Sequence, residues 1–153
     1  MWRLRKKNYR GGEMREIKFR GLSLNGEWYY GLLSCSQGKG DQPPKGYYIS
    51  NSCGMPWAYA VRPETIGQYT TLDLKYVGNK LFEGDIVYSK KRHIMGVVVK
   101  NEIGNWDVAW DKNNKESFNY YHYEWSWEQF TYKSSGFEII GNIHDNPELM
   151  EPK

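Results

Sequence analysis

Short runs of alternating apolar and polar residues, cut by glycine-bearing turns, recur along this chain and predict strands in preference to helices. From Arg15, Ile17 and Phe19 alternate with Lys18 and Arg20, a half-exposed strand whose polar face carries the two cations. Asn25-Gly26 is a strong hairpin signal, and Trp28–Leu33 returns as the partner strand. Residues 34–46 form a polar Gly/Pro stretch without periodicity, expected to be the most mobile part of the body. Tyr47–Ile49 and Ala58–Val61 read as two further strands, the second closed by Pro63.

The stretch from Pro63 to Val87 organises the rest. It holds a polar turn, an extended run bearing Tyr69, a turn at Gly78-Asn79, and the segment Leu81–Val87. Glu83-Gly84-Asp85 reads as a turn in which Gly84 takes a dihedral that other residues resist. Ile86–Tyr88 then enters a sheet, Met95–Lys100 is β-branched, and Trp106–Trp110 alternates so that Trp106, Val108 and Trp110 share a face. Phe137–Ile140 would close a small SH3-like or pseudo-barrel. Asn146 as cap with Pro147 behind it predicts one short C-terminal helical turn. The expected fold is therefore mainly β: N-terminal β-hairpins over 14–62 and a small barrel over 63–153, in a single domain.

Composition changes this picture little; charge changes it more. Tyrosine and tryptophan dominate an aromatic fraction of 16%, which suits pleated strands. The net charge of +3 is concentrated at the start. Arg3, Arg5, Lys6, Lys7 and Arg10 face only Glu13, so residues 1–13 carry +4 and the remainder −1. Bulk charge in the body thus gives no argument for phosphate binding. Residues 1–13 read either as a translated leader before a true start at Met14 or as a short disordered basic arm. The N-terminal peptide of the native protein distinguishes the two. No apolar segment follows these cations, so they are not a secretory signal, and no run of 18 apolar residues offers a membrane span. Cys35 and Cys53 lack metal-ligand spacing and read as a pair of reduced thiols in a cytosolic protein, with a disulfide between them as the alternative.

Three segments carry a family resemblance. They are Ile17–Gly21 with Gly26–Gly31, Pro63–Thr70 running on to Glu83–Val87, and Ile140–Leu149. In this order they resemble the YopX family of bacteriophage and prophage proteins. Thr71 departs from the family's usual glycine, Lys75–Lys80 from its usual charged turn, and residues 112–134 from its pattern. The resemblance implies a largely β, barrel-type fold, a phage or mobile-element origin and self-association. It brings no catalytic residues with it.

Candidate chemistry is thin. In the run from Asn119 to Trp127, strand geometry puts Tyr121, Tyr123, Trp125 and Trp127 on one face, a platform for a sugar, peptide or protein partner. The plainer reading of the same stripe is the core face of another strand pair, and exposure of the rings would reverse the balance. Lys90, Lys91 and Arg92, with Lys100, offer phosphate contacts, although such runs are usually solvated surface. His144-Asp145 resembles a metal-binding dyad, but the few other histidines favour a turn role. Glu83 and Asp85 would need a second acidic cluster to act as an acid/base or Mg²⁺ pair. No catalytic residue, metal or cofactor is expected. The sequence points to a non-enzymatic phage or prophage accessory protein in the host cytoplasm that binds a host or phage protein. The alternative is a small-barrel nucleic-acid-binding protein.

Overall fold

The first hairpin turns where Asn25-Gly26 predicts. Gly26 sits at φ 84°, in the left-handed region that glycine enters without steric cost. Ser23 closes the loop: its amide donates to the Glu27 carbonyl, and its hydroxyl accepts from the Asn25 and Glu27 amides. The computed structural model describes residues 16–74, 79–90, 93–101, 104–110 and 137–151. Across this loop β1 (Phe19–Leu22) pairs antiparallel with β2 (Trp28–Gly31), matching Leu22 to Trp28 and Phe19 to Gly31.

Two expectations fail here for physical reasons. Burial does not follow the alternation from Ile17 to Arg20: Ile17 is 63% exposed, Lys18 and Phe19 are both half-buried, and Arg20 is only 6% exposed. A buried carboxylate meets that cation, and the pairing outweighs the usual preference of arginine for water. The run Trp28–Leu33 is also two strands, because β2 ends at Gly31 and β3 (Leu33–Ser36) joins a different sheet. Gly31 abuts the Ser50 carbonyl so closely that no side chain would fit, and Leu32 carries the chain across.

The second sheet has the order β3-β4-β5, with β4 spanning Gly46–Ile49 and β5 spanning Tyr59–Val61. The polar stretch predicted from Ser34 therefore begins only after Ser36, whose buried hydroxyl donates to the Pro43 carbonyl at 2.5 Å. Small residues and stacked rings join this sheet to the first hairpin. Gly21 lies against Val61, Tyr29 stacks on Tyr59 at 3.8 Å between centroids, and Ser23 bridges to Val61.

A 3-10 turn at Pro63–Thr65 leads back to the first sheet, where β6 (Gly67–Leu74) and β7 (Asn79–Phe82) extend it to the order β2-β1-β6-β7. Thr65 fixes the re-entry: its hydroxyl accepts from the Leu22 amide at 2.9 Å and donates to the Arg62 carbonyl at 2.7 Å.

The third sheet is a curled half-barrel ordered β10-β9-β8-β11. Its strands are β8 (Asp85–Ser89), β9 (Ile94–Lys100), β10 (Trp106–Trp110) and β11 (Phe137–Asn142). Strand β8 is central, and its adjacent residues Ile86 and Val87 are both buried, so it is covered on both faces. Val87, Val98 and Val108 pack with Leu81 of β7 into one core, flanked by Trp106 and Ile139. Each such buried aliphatic contributes about 1.5–3 kcal/mol. Strand β11 pairs with β8 and bulges between Ile139 and Gly141, which bends the sheet. Among the described strands, β10 and β11 stand at the two edges.

The C-terminal helical turn is a 3-10 turn at Pro147–Met150. Asn146 precedes it, yet its side chain makes no cap hydrogen bond. It packs instead against Gly141, and its Oδ1 accepts from the Asn142 amide at 3.4 Å. No helix among the described residues is long and apolar enough to cross a membrane.

Candidate functional site

The turn between β7 and β8 builds the site. Gly84 holds φ 83°, a conformation that Cβ-bearing residues rarely adopt. This throws Asp85 inward at the first position of β8. Its Oδ2 accepts from the Phe82 amide at 2.7 Å, and its Oδ1 meets Arg20 Nη1 at 2.5 Å. Arg20 Nη2 donates to the Glu83 carbonyl at 3.0 Å. The guanidinium also lies 4.9 Å from the Trp28 ring and 5.2 Å from the Phe82 ring, a desolvated cation between aromatic rings. Gly67 admits this arrangement, since a Cβ there would sit 2.5 Å from the Glu83 carbonyl oxygen.

The network reaches the end of the chain. Trp28 Nε1 donates to Asp145 Oδ2 at 2.8 Å, and Asn142 Nδ2 donates to the same oxygen at 2.7 Å. Asn142 Oδ1 accepts from the His144 and Asp145 amides. The His144-Asp145 pair thus has the turn role expected of it. The three family-like segments meet here: Arg20 and Trp28 come from the first, Asp85 from the second, Asn142 and Asp145 from the third.

Burial sets the electrostatics. It pushes the Asp85 carboxyl above its ordinary value, against the opposing pull of Arg20 and the Phe82 amide. Burial, and after it the nearby Arg20 charge, holds His144 below the usual imidazole value and so favours its neutral form. Among the described residues Arg20 Nε is buried without a partner, an unmet donor beside an otherwise satisfied ion pair.

Beside this network opens a cleft of about 530 Å³ between the first and third sheets. Arg20 and Asp85 line it together with Tyr30, Phe82 and Ile139. Lys18 and Lys80 also line it, and Glu16 bridges their ammonium groups at 3.6 and 2.5 Å. Hydrogen bonding to Lys80 holds the Glu16 carboxyl below its ordinary value.

A second feature is the outer side of β3, an edge strand among the described residues. Leu32 immediately precedes it, Tyr47 pairs across from Cys35, and the Ser34 hydroxyl donates to the Pro56 carbonyl, placing the Met55–Trp57 loop beside the strand. Leu32, Tyr47, Met55 and Trp57 are all exposed, half of the large hydrophobic residues found exposed among the described residues. Cys35 and Cys53 are free thiols, both exposed.

The residues singled out from sequence fall only in part among the described residues. Tyr121, Tyr123, Trp125 and Trp127 lie outside the described residues, as do Lys91 and Arg92. Lys90 pairs with Glu138 at 2.8 Å. Lys100 donates to Gln68 at 2.7 Å and lies 4.9 Å from the Trp106 ring. Lys90 follows β8 at the hairpin end of β9, and Lys100 ends β9 at the other extreme, roughly 20 Å away along the strand. The structure does not bring these two cations together. Glu83 and Asp85 also part: Asp85 turns into the ion pair, while Glu83 Oε2 accepts from the Gln68 amide at 3.5 Å. Arg20, Lys18, Lys80 and Tyr30 were missed as site residues, although the first two belong to the family-like Ile17–Gly21 element.

No curated protein and no solved structure matches this chain. The profile of the YopX protein family does, over residues 18–151, and those bounds take in all three segments that converge on Arg20 and Asp85, except Ile17. This chain belongs to the YopX protein family.

Proposed function

We propose that this protein works by binding another protein and not by catalysis, as a phage or prophage accessory protein in the cytoplasm of a bacterial host. The observation that carries this reading is the outer edge of β3. An edge strand presents main-chain donors and acceptors that an extended segment of a partner can extend as a further strand. The exposed Leu32, Met55 and Trp57 beside it supply apolar contacts of the kind that anchor such a segment. The carboxylate best placed for acid/base work, Asp85, is committed to Arg20 and the Phe82 amide, which also supports a structural use of that group.

The test is capture from host lysate on the full chain, with and without nuclease, at low and moderate salt. A protein partner is expected to survive nuclease and salt and to be lost with Leu32→Asp plus Trp57→Ser, two surface changes that leave the core intact. Recovery abolished by nuclease, or by Lys90→Gln plus Lys100→Gln, would overturn the proposal in favour of nucleic acid, whose binding weakens steeply with salt. Capture unchanged by the Leu32 and Trp57 substitutions would remove β3 as the interface.

A further inference from the structure

The cleft between the first and third sheets is separate from the β3 edge and carries its own chemistry. We infer that it binds a small ligand in which a carboxylate or phosphate is joined to a planar apolar body. The anion takes the place of the Glu16 carboxylate between Lys18 and Lys80, and the planar body lies against Tyr30.

Four observations lead there. A volume of about 530 Å³ falls in the range of small-molecule pockets. The two lysines converge on one position and already hold a carboxylate, since both Glu16 oxygens are engaged, Oε1 by Lys18 and Oε2 by Lys80. That position is therefore shaped for an anion of this kind. Glu16 is an exchangeable occupant: it is more than half exposed and lies before β1, outside any strand, where an ion pair with water on one side is weak. The cleft wall, finally, offers a ring to stack on. Tyr30 is 49% exposed, and its orientation is set by Phe82, which it meets edge-on at 5.5 Å between centroids. Phe82 is itself buried and packed on Tyr69. Arg20 and Asp85 line the cleft as a neutral pair, so the unbalanced charge comes from the lysines once Glu16 is displaced.

Phenyl phosphate and benzoate are suitable probes, with inorganic phosphate and phenol as their separate parts, followed by amide chemical shifts of the full chain. Saturable shifts of the Tyr30, Lys80 and Gly141 amides are expected below about 10 mM, stronger for either joined probe than for phosphate or phenol alone. Comparing phenyl phosphate with benzoate distinguishes a phosphate-bearing ligand from a carboxylate-bearing one. Removing the internal competitor with Glu16→Gln is expected to tighten binding several-fold, and Lys80→Gln to weaken it about tenfold. Tyr30→Ala is expected to weaken phenyl phosphate while leaving inorganic phosphate unchanged. These side chains are exposed or half-exposed, so the variants keep the fold. An absence of saturable shifts, or Glu16→Gln and Lys80→Gln moving affinity in the same direction, would overturn the inference.

Discussion

Arg20→Met is expected to destabilise the fold by about 3–5 kcal/mol at neutral pH, because it leaves Asp85 buried without its counter-charge and the Glu83 carbonyl without its donor. Urea denaturation measures this directly. The double variant Arg20→Met plus Asp85→Asn is expected to recover much of the loss, since the side-chain amide that replaces the carboxylate is neutral and keeps an acceptor for the Phe82 amide. A double variant as unstable as the sum of the two single ones would show that the groups do not act as a pair.

The same ion pair sets a pH dependence. Burial raises the Asp85 carboxyl above its ordinary 3.8, so across the window above that value the folded chain holds the proton more tightly than the unfolded chain. The associated stability is complete below about 3.8 and is lost as pH rises through the raised value. Wild type is therefore expected to gain stability relative to Asp85→Asn as pH falls from about 7 to about 4. A trend of the opposite sign would mean that the attraction of Arg20 exceeds the cost of burial.

Gly31→Ala is the second large effect, with an expected loss of about 1–3 kcal/mol. The new methyl would run into the Ser50 carbonyl oxygen and lie 2.9 Å from Ser50 Oγ and 3.1 Å from Ile49 Cγ2. Neither residue can easily yield. Ile49 is fully buried, and Ser50 is held in both directions: its amide donates to the Leu32 carbonyl, and its hydroxyl accepts from the Leu32 amide. Gly46→Ala is the control, because its nearest contact would be an ordinary 3.8 Å to Tyr48, with an expected change within about 0.5 kcal/mol. Thermal melting of both variants measures the difference, and equal melting points would overturn the steric account.

Arg20 and Gly31 also mark how far the sequence could be read. The turns at Asn25-Gly26 and Gly84, the strands β4, β5 and β8 to β11, and the terminal helical turn were legible, because each rests on a local signal of period or backbone preference. Arg20 was not, since strand alternation assigns a charged residue to water unless its partner is known. Asp85 stands far along the chain, inside a motif that reads as a turn. Gly31 looked like an interior residue of one continuous strand. Its close approach to Ser50 is a property of two sheets meeting, which no local window contains. The candidate cleft shows the same limit: Lys18 stands just before β1, Tyr30 in β2 and Lys80 in β7. Only the pairing of β1 with both β2 and β6, and of β6 with β7, gathers them.

The hydrogen bond from Trp28 to Asp145 spans 117 residues. A ribosome adding about 5–20 residues per second needs roughly 6–23 s to cover that distance. Through that interval the first hairpin waits for the later segment that completes its surroundings. Completion of this network is thus tied to synthesis of the segment around Asn142 and Asp145, and nascent chains stopped before it emerges are the form that chaperones and proteases would meet.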